Sequence, residues 1–406
     1  MKDLVVQKFG GTSVGNIERI QKVALLIKET SKIQQNVVVV SAMAGQTNLL
    51  VKLGHDLCDQ PLPEAYDMLL ASGEQVSCAL LAIALNALGI KAKPLLGFQV
   101  GIFTDGLYSK AQIQKINTRI LEDCIRENCV PVVAGFQGVH RSGDFDTITT
   151  LGRGGSDTSG VALAVALKAK RCDIYTDVEG VYTADPRIVP EARKIETISF
   201  LEMMELSSLG AKVMHMRSLQ IAAKYNLPIR VLSSFNPQAK GTLIMQNDDL
   251  LEAPVVSAIT SDSAECLFEV ELDNNEAQFP APIFQPLAKH GIIVDVIVKT
   301  PPNEKGRCSI CFSLPKEDGP KAKELLSGYP IKVQLDSAIK ISIVGVGMRT
   351  HTGVAAKMFD CLKEQEIPTH LITTSEIKIS AIIQEKDKEK AIRALHEAFA
   401  LADNKT

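Results

Sequence analysis

Hydrophobic positions over the first 235 residues alternate between two patterns. Short apolar runs at 4–9, 37–40, 130–134, 173–176 and 229–233 predict strands buried on both faces of a parallel sheet. Amphipathic segments lie between them, the first with apolar residues at Ile17, Ile20, Ala24 and Ile27, and predict helices packed on either side. Residues 1–235 therefore read as an α/β layered domain. Residues 236–254 turn polar and are punctuated by Pro237 and Gly241, which predicts a linker.

Beyond the linker the units shorten and a weak repeat emerges. Strand at 264–272, helix at 281–290, strands at 292–300 and 306–314, helix at 319–326 and strand at 332–335 spell βαββαβ. Residues 338–346, 354–366, 369–374, 378–384 and 388–400 repeat the order as βαββα, one strand short. The apolar run 255–260 is the expected donor of that strand. The expected modules are thus 264–337, and 255–260 plus 338–402.

A chain of 406 residues exceeds the ~250–300 at which single cores stop growing, in keeping with several domains. Lys plus Arg number 44 against 47 Asp plus Glu, a net charge of −3 that offers no footprint for nucleic acid or an anionic membrane. Unbroken apolar stretches such as 79–85 and 161–167 fall well below the ~20 residues of a membrane span. The first residues carry no charged-then-apolar leader, so a cytoplasmic location is expected. Nine scattered cysteines suggest reduced core thiols rather than a disulfide framework. Cys308 and Cys311 share a strand-like run at an odd separation, which sends them to opposite faces and argues against a metal or redox pair.

Candidate chemistry clusters after predicted strands. Lys8-Phe9-Gly10-Gly11-Thr12-Ser13 ends the first strand just before a helix, where glycines allow close backbone approach and helix amides favour a phosphate. A plain strand-to-helix turn explains the glycines equally well, and no Walker-type loop occurs. A second glycine loop, Leu151-Gly152-Arg153-Gly154-Gly155-Ser156-Asp157, also precedes a helix. Ser156 or Asp157 suits an N-cap there, while Arg153 offers a fork for carboxylate or phosphate. Tyr175 to Arg187 is rich in Asp and Tyr and reads as a solvated loop or a nucleotide cradle. Thr47, Glu74 and Lys212, taken singly, suit surface or capping roles. No zinc-hydrolase or serine-hydrolase motif is present, and no metal site is expected.

Together with Ser41-Ala42-Met43, Gly135-Phe136-Gln137-Gly138 and Val181-Tyr182-Thr183-Ala184-Asp185-Pro186-Arg187, these loops resemble, in order and spacing, the aspartate kinases of the amino acid kinase superfamily. The two later units resemble the tandem ACT modules of that family. The resemblance implies a three-layer kinase domain with a mainly parallel sheet, followed by two ferredoxin-like α+β modules. It also implies transfer of the ATP γ-phosphoryl group, with Mg²⁺ carried on ATP, to the side chain of L-aspartate.

By the same resemblance Lys8 and Asp157 form the catalytic set. Lys8, Gly10, Gly11, Ser41, Thr176, Asp177, Tyr182, Asp185, Arg187 and Lys212 hold the nucleotide. Arg153 grips a substrate carboxylate, Glu74 the ammonium, and Thr47 and Ser156 supply hydroxyls. An amino-acid effector, lysine or threonine, and a homo-oligomer built through the ACT modules are implied as well. Met245 offers an internal start for a short regulatory subunit, as in some members.

The regulatory half departs from the family pattern. Asp273 to Pro280 replaces the usual Asp-x-Pro-Gly, and Ile292-Ile293 and Pro368-Thr369 replace the Asn-Ile pairs, whereas Gly353 and Thr374-Ser375-Glu376-Ile377 match. Two alternatives stay open: another acid kinase of the same fold, and a catalytically silent amino-acid sensor, against which the intact Lys8, Arg153 and Asp157 loops argue.

Overall fold

The valine-rich runs become the central strands of an eight-stranded sheet. In the computed structural model, which describes residues 2–402 except 144, 212, 247–255, 263, 274–279, 305, 347, 349 and 350, the chain divides into two units. The first comprises Met1–Val181, Lys194–Ser207 and Lys212–Leu250, and the second Tyr182–Arg193, Ser208–Ala211 and Leu251–Thr406.

The first unit opens with β1 (Leu4–Phe9), α1 (Ile17–Thr30), β2 (Gln35–Val40), α2 (Gln46–Leu57), α3 (Pro63–Ala87), β3 (Ala92–Leu95) and α4 (Gly97–Val100). It continues through β4 (Ile102–Thr104), β5 (Ile113–Ile116), α5 (Arg119–Arg126), β6 (Val130–Ala134), β7 (Gln137–Ser142) and β8 (Phe145–Thr150). α6 (Gly155–Ala166), β9 (Arg171–Thr176), β10 (Thr197–Ser199), α7 (Phe200–Ser208), α8 (Met216–Lys224), β11 (Ile229–Ser233) and β12 (Thr242–Met245) complete it.

The large sheet runs β10-β12-β11-β9-β1-β2-β6-β3 and is parallel except where β11 meets β12. β5-β4-β7-β8 form a separate four-stranded sheet. On one face of the large sheet, Ile20, Val23 and Ile27 of α1 and Cys78, Leu81 and Leu85 of α3 pack against Phe9, Val38 and Val40. The Asn16 side chain starts α1 by accepting from Arg19 N at 2.9 Å. The presumed linker needs correction: its residues 242–245 are β12, a four-residue strand too short to announce itself between Gly241 and polar Gln246.

α3 is long and apolar enough to cross a membrane by length and composition alone, a property hidden from the sequence because Asp67, Gly73 and Glu74 interrupt its apolar runs. Its buried Asp67 and Glu74 are both hydrogen-bonded to protein groups, as expected of a helix packed in a core. Within the sheet, Asp173 is fully buried and binds Arg171 at 2.8 Å and Arg230 at 2.8 Å. Asp173→Ala leaves two cations without their shared carboxylate, Arg171 keeping only the Gln34 Oε1 acceptor at 3.0 Å. It should lower stability by about 3 kcal/mol, read as a lower urea midpoint.

The second unit contains β13 (Ala258–Ser261), β14 (Glu265–Asp273), α9 (Ala281–Lys289), β15 (Ile297–Lys299), β16 (Arg307–Pro315) and α10 (Gly319–Leu325). These are followed by β17 (Ile331–Val344), α11 (Val354–Glu364), β18 (Leu371–Thr374), β19 (Lys378–Gln384) and α12 (Lys388–Ala398). The strands expected at 332–335 and 338–346 are one 14-residue strand, because no glycine or proline breaks the chain between them. β17 thereby joins both modules into a single sheet of order β15-β16-β14-β17-β19-β18. β13 pairs antiparallel with the later half of β17, Ala258 opposite Val344 and Ser261 opposite Ile341. Val255, the first residue of the expected donor strand, lies outside the described residues.

The strand expected over 292–300 shrinks to β15; ahead of it Asp295 N donates to Ser313 O and Ser313 N to Val296 O, each at 3.0 Å, while Val296 N turns to the Ser313 hydroxyl at 3.3 Å, so the pairing there is irregular. In β16, Cys308 is buried in the core and Cys311 is half-buried, and all nine cysteines are free.

Candidate active site

β1, β2, β6, β9 and β11 run parallel, so the loops after them gather at one edge, where open α/β sheets bind ligands. Backbone bonds stitch these loops together. Gly10 N donates to Tyr175 O, Ser41 N to Phe9 O, Gly135 N to Val40 O and Ser234 N to Thr176 O, each at 3.0 Å. Gly11 packs so closely that a Cβ there would lie 2.8 Å from Ala42 O. The first glycine loop is therefore pressed against the Ser41 turn, with Lys8 one strand position inside.

The second glycine loop lies against the same strand ends. Gly154 takes φ 68° as it turns into α6, and a Cβ on it would sit 2.2 Å from the His215 ring. α6 crosses β1 at Gly160, where an added Cβ would come within 3.1 Å of Lys8 Cβ. This close crossing puts Asp157 Oδ1 2.6 Å from Lys8 Nζ, with side chains 14% and 10% exposed. The contact is an ion pair by distance although it is not aligned as a hydrogen bond. Ser156 is buried beside Gly135. Arg153 is exposed and makes no hydrogen bond or ion pair with any described residue, so its guanidinium is available to an anion.

Glu74 on α3 is buried; its Oε1 accepts from Ala42 N at 3.0 Å, while Oε2 has no hydrogen-bond partner among the described residues. Burial pushes its pKa up to about 7, opposed by the Ala42 amide and the charge of Lys8. Its contribution to stability is therefore full below the unfolded value of about 4.5 and is lost as pH rises through about 7. Binding of an ammonium group would respond in the opposite sense, because only ionised Glu74 attracts it. If Glu74 takes the ammonium group of aspartate, as the sequence resemblance implies, the KM for aspartate should rise ~tenfold from pH 8 to pH 6. Steady-state kinetics across that range check it, and Glu74→Gln should flatten the profile. Thr47 lies half-buried in the first turn of α2, where the Ser41 turn leads.

Of the proposed nucleotide residues, Thr176 ends β9 and donates its hydroxyl to Asp177 Oδ1 at 3.1 Å. Tyr182, Asp185 and Arg187 belong to the second unit. Asp185 and Arg187 pair with each other at 2.7 Å, and the guanidinium holds the Asp185 carboxyl below its usual range. Ala184 and Val189 of that segment are buried with Ile259, Ile341 and Ile383, and Thr183 O accepts from Ile259 N at 2.8 Å. Lys212 lies outside the described residues.

Among the described residues one trio of carboxylates, Asp262, Glu265 and Asp295 in the second unit, is close enough to share a metal ion. Lys340 already lies within it, ion-paired to Asp295 and 3.4 Å from Asp262, so a side-chain cation occupies that role. Asp67, His215 and Arg217, none of them marked by a motif, frame the second glycine loop. A lone aspartate in an apolar helix was the one available signal.

Known proteins resemble the chain throughout its length. The amino acid kinase family matches residues 3–233, and an ACT domain matches residues 341–399. The aspartate kinase of Pseudomonas putida is 45% identical over 406 residues, covering 98% of each chain. Aspartokinase 2 of Bacillus subtilis is 44% identical over 406 residues, again covering 98% of each. The crystal structure of E. coli aspartokinase III with aspartate and ADP superposes with a TM-score of 0.77 at 26% identity, covering 98% of this chain and 99% of that one. The same enzyme with lysine and aspartate gives a TM-score of 0.80 at 26% identity, with the same coverage.

Fold, site and likeness define an α/β kinase with an ACT-like regulatory half. The chain belongs to the aspartate kinases of the amino acid kinase family.

Proposed function

We propose that the first unit binds ATP and L-aspartate at the strand edge built by Lys8, Glu74, Arg153 and Asp157. A side-chain carboxylate oxygen of aspartate attacks the γ-phosphorus, the bond to the bridging oxygen breaks, and 4-phospho-L-aspartate and ADP leave. The observation that carries this reading is the largely buried Lys8–Asp157 pair between two glycine loops. A carboxylate of reference pKa ~3.9 is already ionised at neutral pH, so no general base is required. The barrier is the meeting of two anions, and fixed positive charge with correct positioning lowers it.

In this reading Lys8 turns from Asp157 toward the transferring phosphoryl group, and the amides of Gly10 and Gly11 hold phosphate oxygens. Ser41, Thr176, Asp177 and Lys212 bind the nucleotide within the first unit. Arg153 takes a carboxylate of aspartate, Glu74 its ammonium, and Thr47 and Ser156 add hydroxyl hydrogen bonds. Mg²⁺ arrives on ATP, the phosphates being its main ligands, and neutralises charge on them.

The second unit serves as the regulatory half, with modules at 264–337 and at 255–260 plus 338–402. Its cavity of about 400 Å³ lined by Met348, Thr374, Ser375, Glu376 and Ile379 suits an amino-acid effector, with lysine and threonine the leading classes. The product feeds lysine, threonine and methionine synthesis in the cytoplasm, and the working form is a homo-oligomer through the ACT modules. Coupled ADP release with aspartate, glutamate and N-acetylglutamate tests the activity. Turnover confined to aspartate supports it; preference for another acceptor, or no turnover at saturating MgATP, overturns it.

A further inference from the structure

We propose that Asp67 is the positioning residue that holds the Arg153 loop at a set distance from Glu74, so that α3 acts as the ruler for the acceptor amino acid. The inference rests on the reading that Arg153 and Glu74 hold the two charged ends of that acceptor.

Asp67 is fully buried on an apolar helix, a costly placement unless every oxygen is satisfied. Four donors satisfy it. Ser109 N lies 2.9 Å from Oδ2, Ser109 Oγ 3.0 Å from Oδ1, Thr150 N 2.6 Å from Oδ2 and Thr150 Oγ1 2.9 Å from Oδ1. These donors bracket the Arg153 loop. Thr150 ends β8 and leads directly into it. Ser109 backs it, since a Cβ on Gly152 would meet Ser109 O at 2.8 Å. Ser109 itself is held at φ 63°, a conformation rare for a residue with a side chain, so the Asp67 bonds maintain a backbone that would otherwise relax.

Arg217 closes the frame by donating to Leu151 O at 2.9 Å and to Ala111 O at 2.8 Å. The Arg153 side chain, by contrast, has no bond of its own to a described residue. The place from which it reaches out is therefore set by this backbone frame. Asp67 and Glu74 stand on one helix, two turns or ~10 Å apart and on the same side. A rigid helix thus links the group that takes the ammonium to the loop that takes the carboxylate. Loosening the link should weaken aspartate binding and blur its distinction from longer acidic amino acids, because displacement of ~1 Å at a positioned group costs up to ~10²-fold.

Steady-state kinetics of the full chain test this with Asp67→Asn, which keeps the shape but turns an acceptor into a donor facing Thr150 and Ser109. The KM for aspartate should rise about tenfold, glutamate should become a relatively better acceptor, and the KM for ATP should stay within about twofold. Combined with Arg153→Ala, Asp67→Asn should add little further to the aspartate KM. Thr150→Val, which removes one donor, carries the same test with a several-fold rise if Asp67→Asn does not fold.

An unchanged aspartate KM in both variants overturns the proposal. So does an equal rise in both KM values, or a fully additive double variant, either of which marks a merely structural role. If Arg153→Ala alone leaves the aspartate KM unchanged, the Arg153 assignment itself fails, and that result differs from all of these.

Discussion

Lys8→Ala will cut kcat by ~10²–10³ while the KM values move far less. Both substrates are anions, and charge on the transferring phosphoryl oxygens is greatest as the bonds exchange. A full positive charge in a site from which water is largely excluded acts mainly on that state. Lys8 is 8% exposed, so its field is weakly screened. The same burial complicates the experiment. Removing Lys8 strands Asp157, and breaking a buried pair costs ~3–5 kcal/mol. Lys8→Met combined with Asp157→Asn removes both charges at similar volume and should recover most of that stability without restoring turnover. Near wild-type turnover in folded Lys8→Ala protein would remove Lys8 from the catalytic set.

The parts of the fold legible in the sequence were those in which one interaction dominates. β1, β2, β6, β9 and β11 are apolar because helices cover both faces of their sheet, and β19 was read residue for residue over 378–384. The four-stranded sheet escaped notice. β7 and β8 read Gln-Gly-Val-His-Arg-Ser and Phe-Asp-Thr-Ile-Thr-Thr, too polar to stand out, and several of their buried positions are polar, Gln137, Thr149 and Thr150 among them. α3 was hidden because Asp67 and Glu74 interrupt its apolar run, and those are the two residues through which the proposed acceptor site is positioned.

The glycine loops were visible from their punctuation, yet nothing local announced that Lys8 would meet Asp157, far along the chain. That meeting depends on Gly160 allowing α6 to approach β1. Asp185 and Arg187 show the opposite limit. Their charges suited a nucleotide, while the structure pairs them with each other, so they are available only if ATP displaces that pair.

Arg153 gives the cleanest test of acceptor recognition, because it is exposed and has no partner among the described residues, so replacing it should leave stability unchanged. Arg153→Ala should lower kcat/KM for aspartate by ~10–10²-fold, the range expected for losing a charge-assisted hydrogen bond of ~1.5–3 kcal/mol. Arg153→Lys retains the charge but not the planar fork that engages both carboxylate oxygens, and should recover only part of the loss. The KM for ATP should hold in both variants, since the Lys8 loop and the β9 end are untouched. Calorimetry with a non-hydrolysable ATP analogue and initial rates over aspartate concentration separate the two effects. Nucleotide affinity lost with the aspartate KM intact would move Arg153 to the nucleotide site and leave Glu74 as the principal anchor for the acceptor.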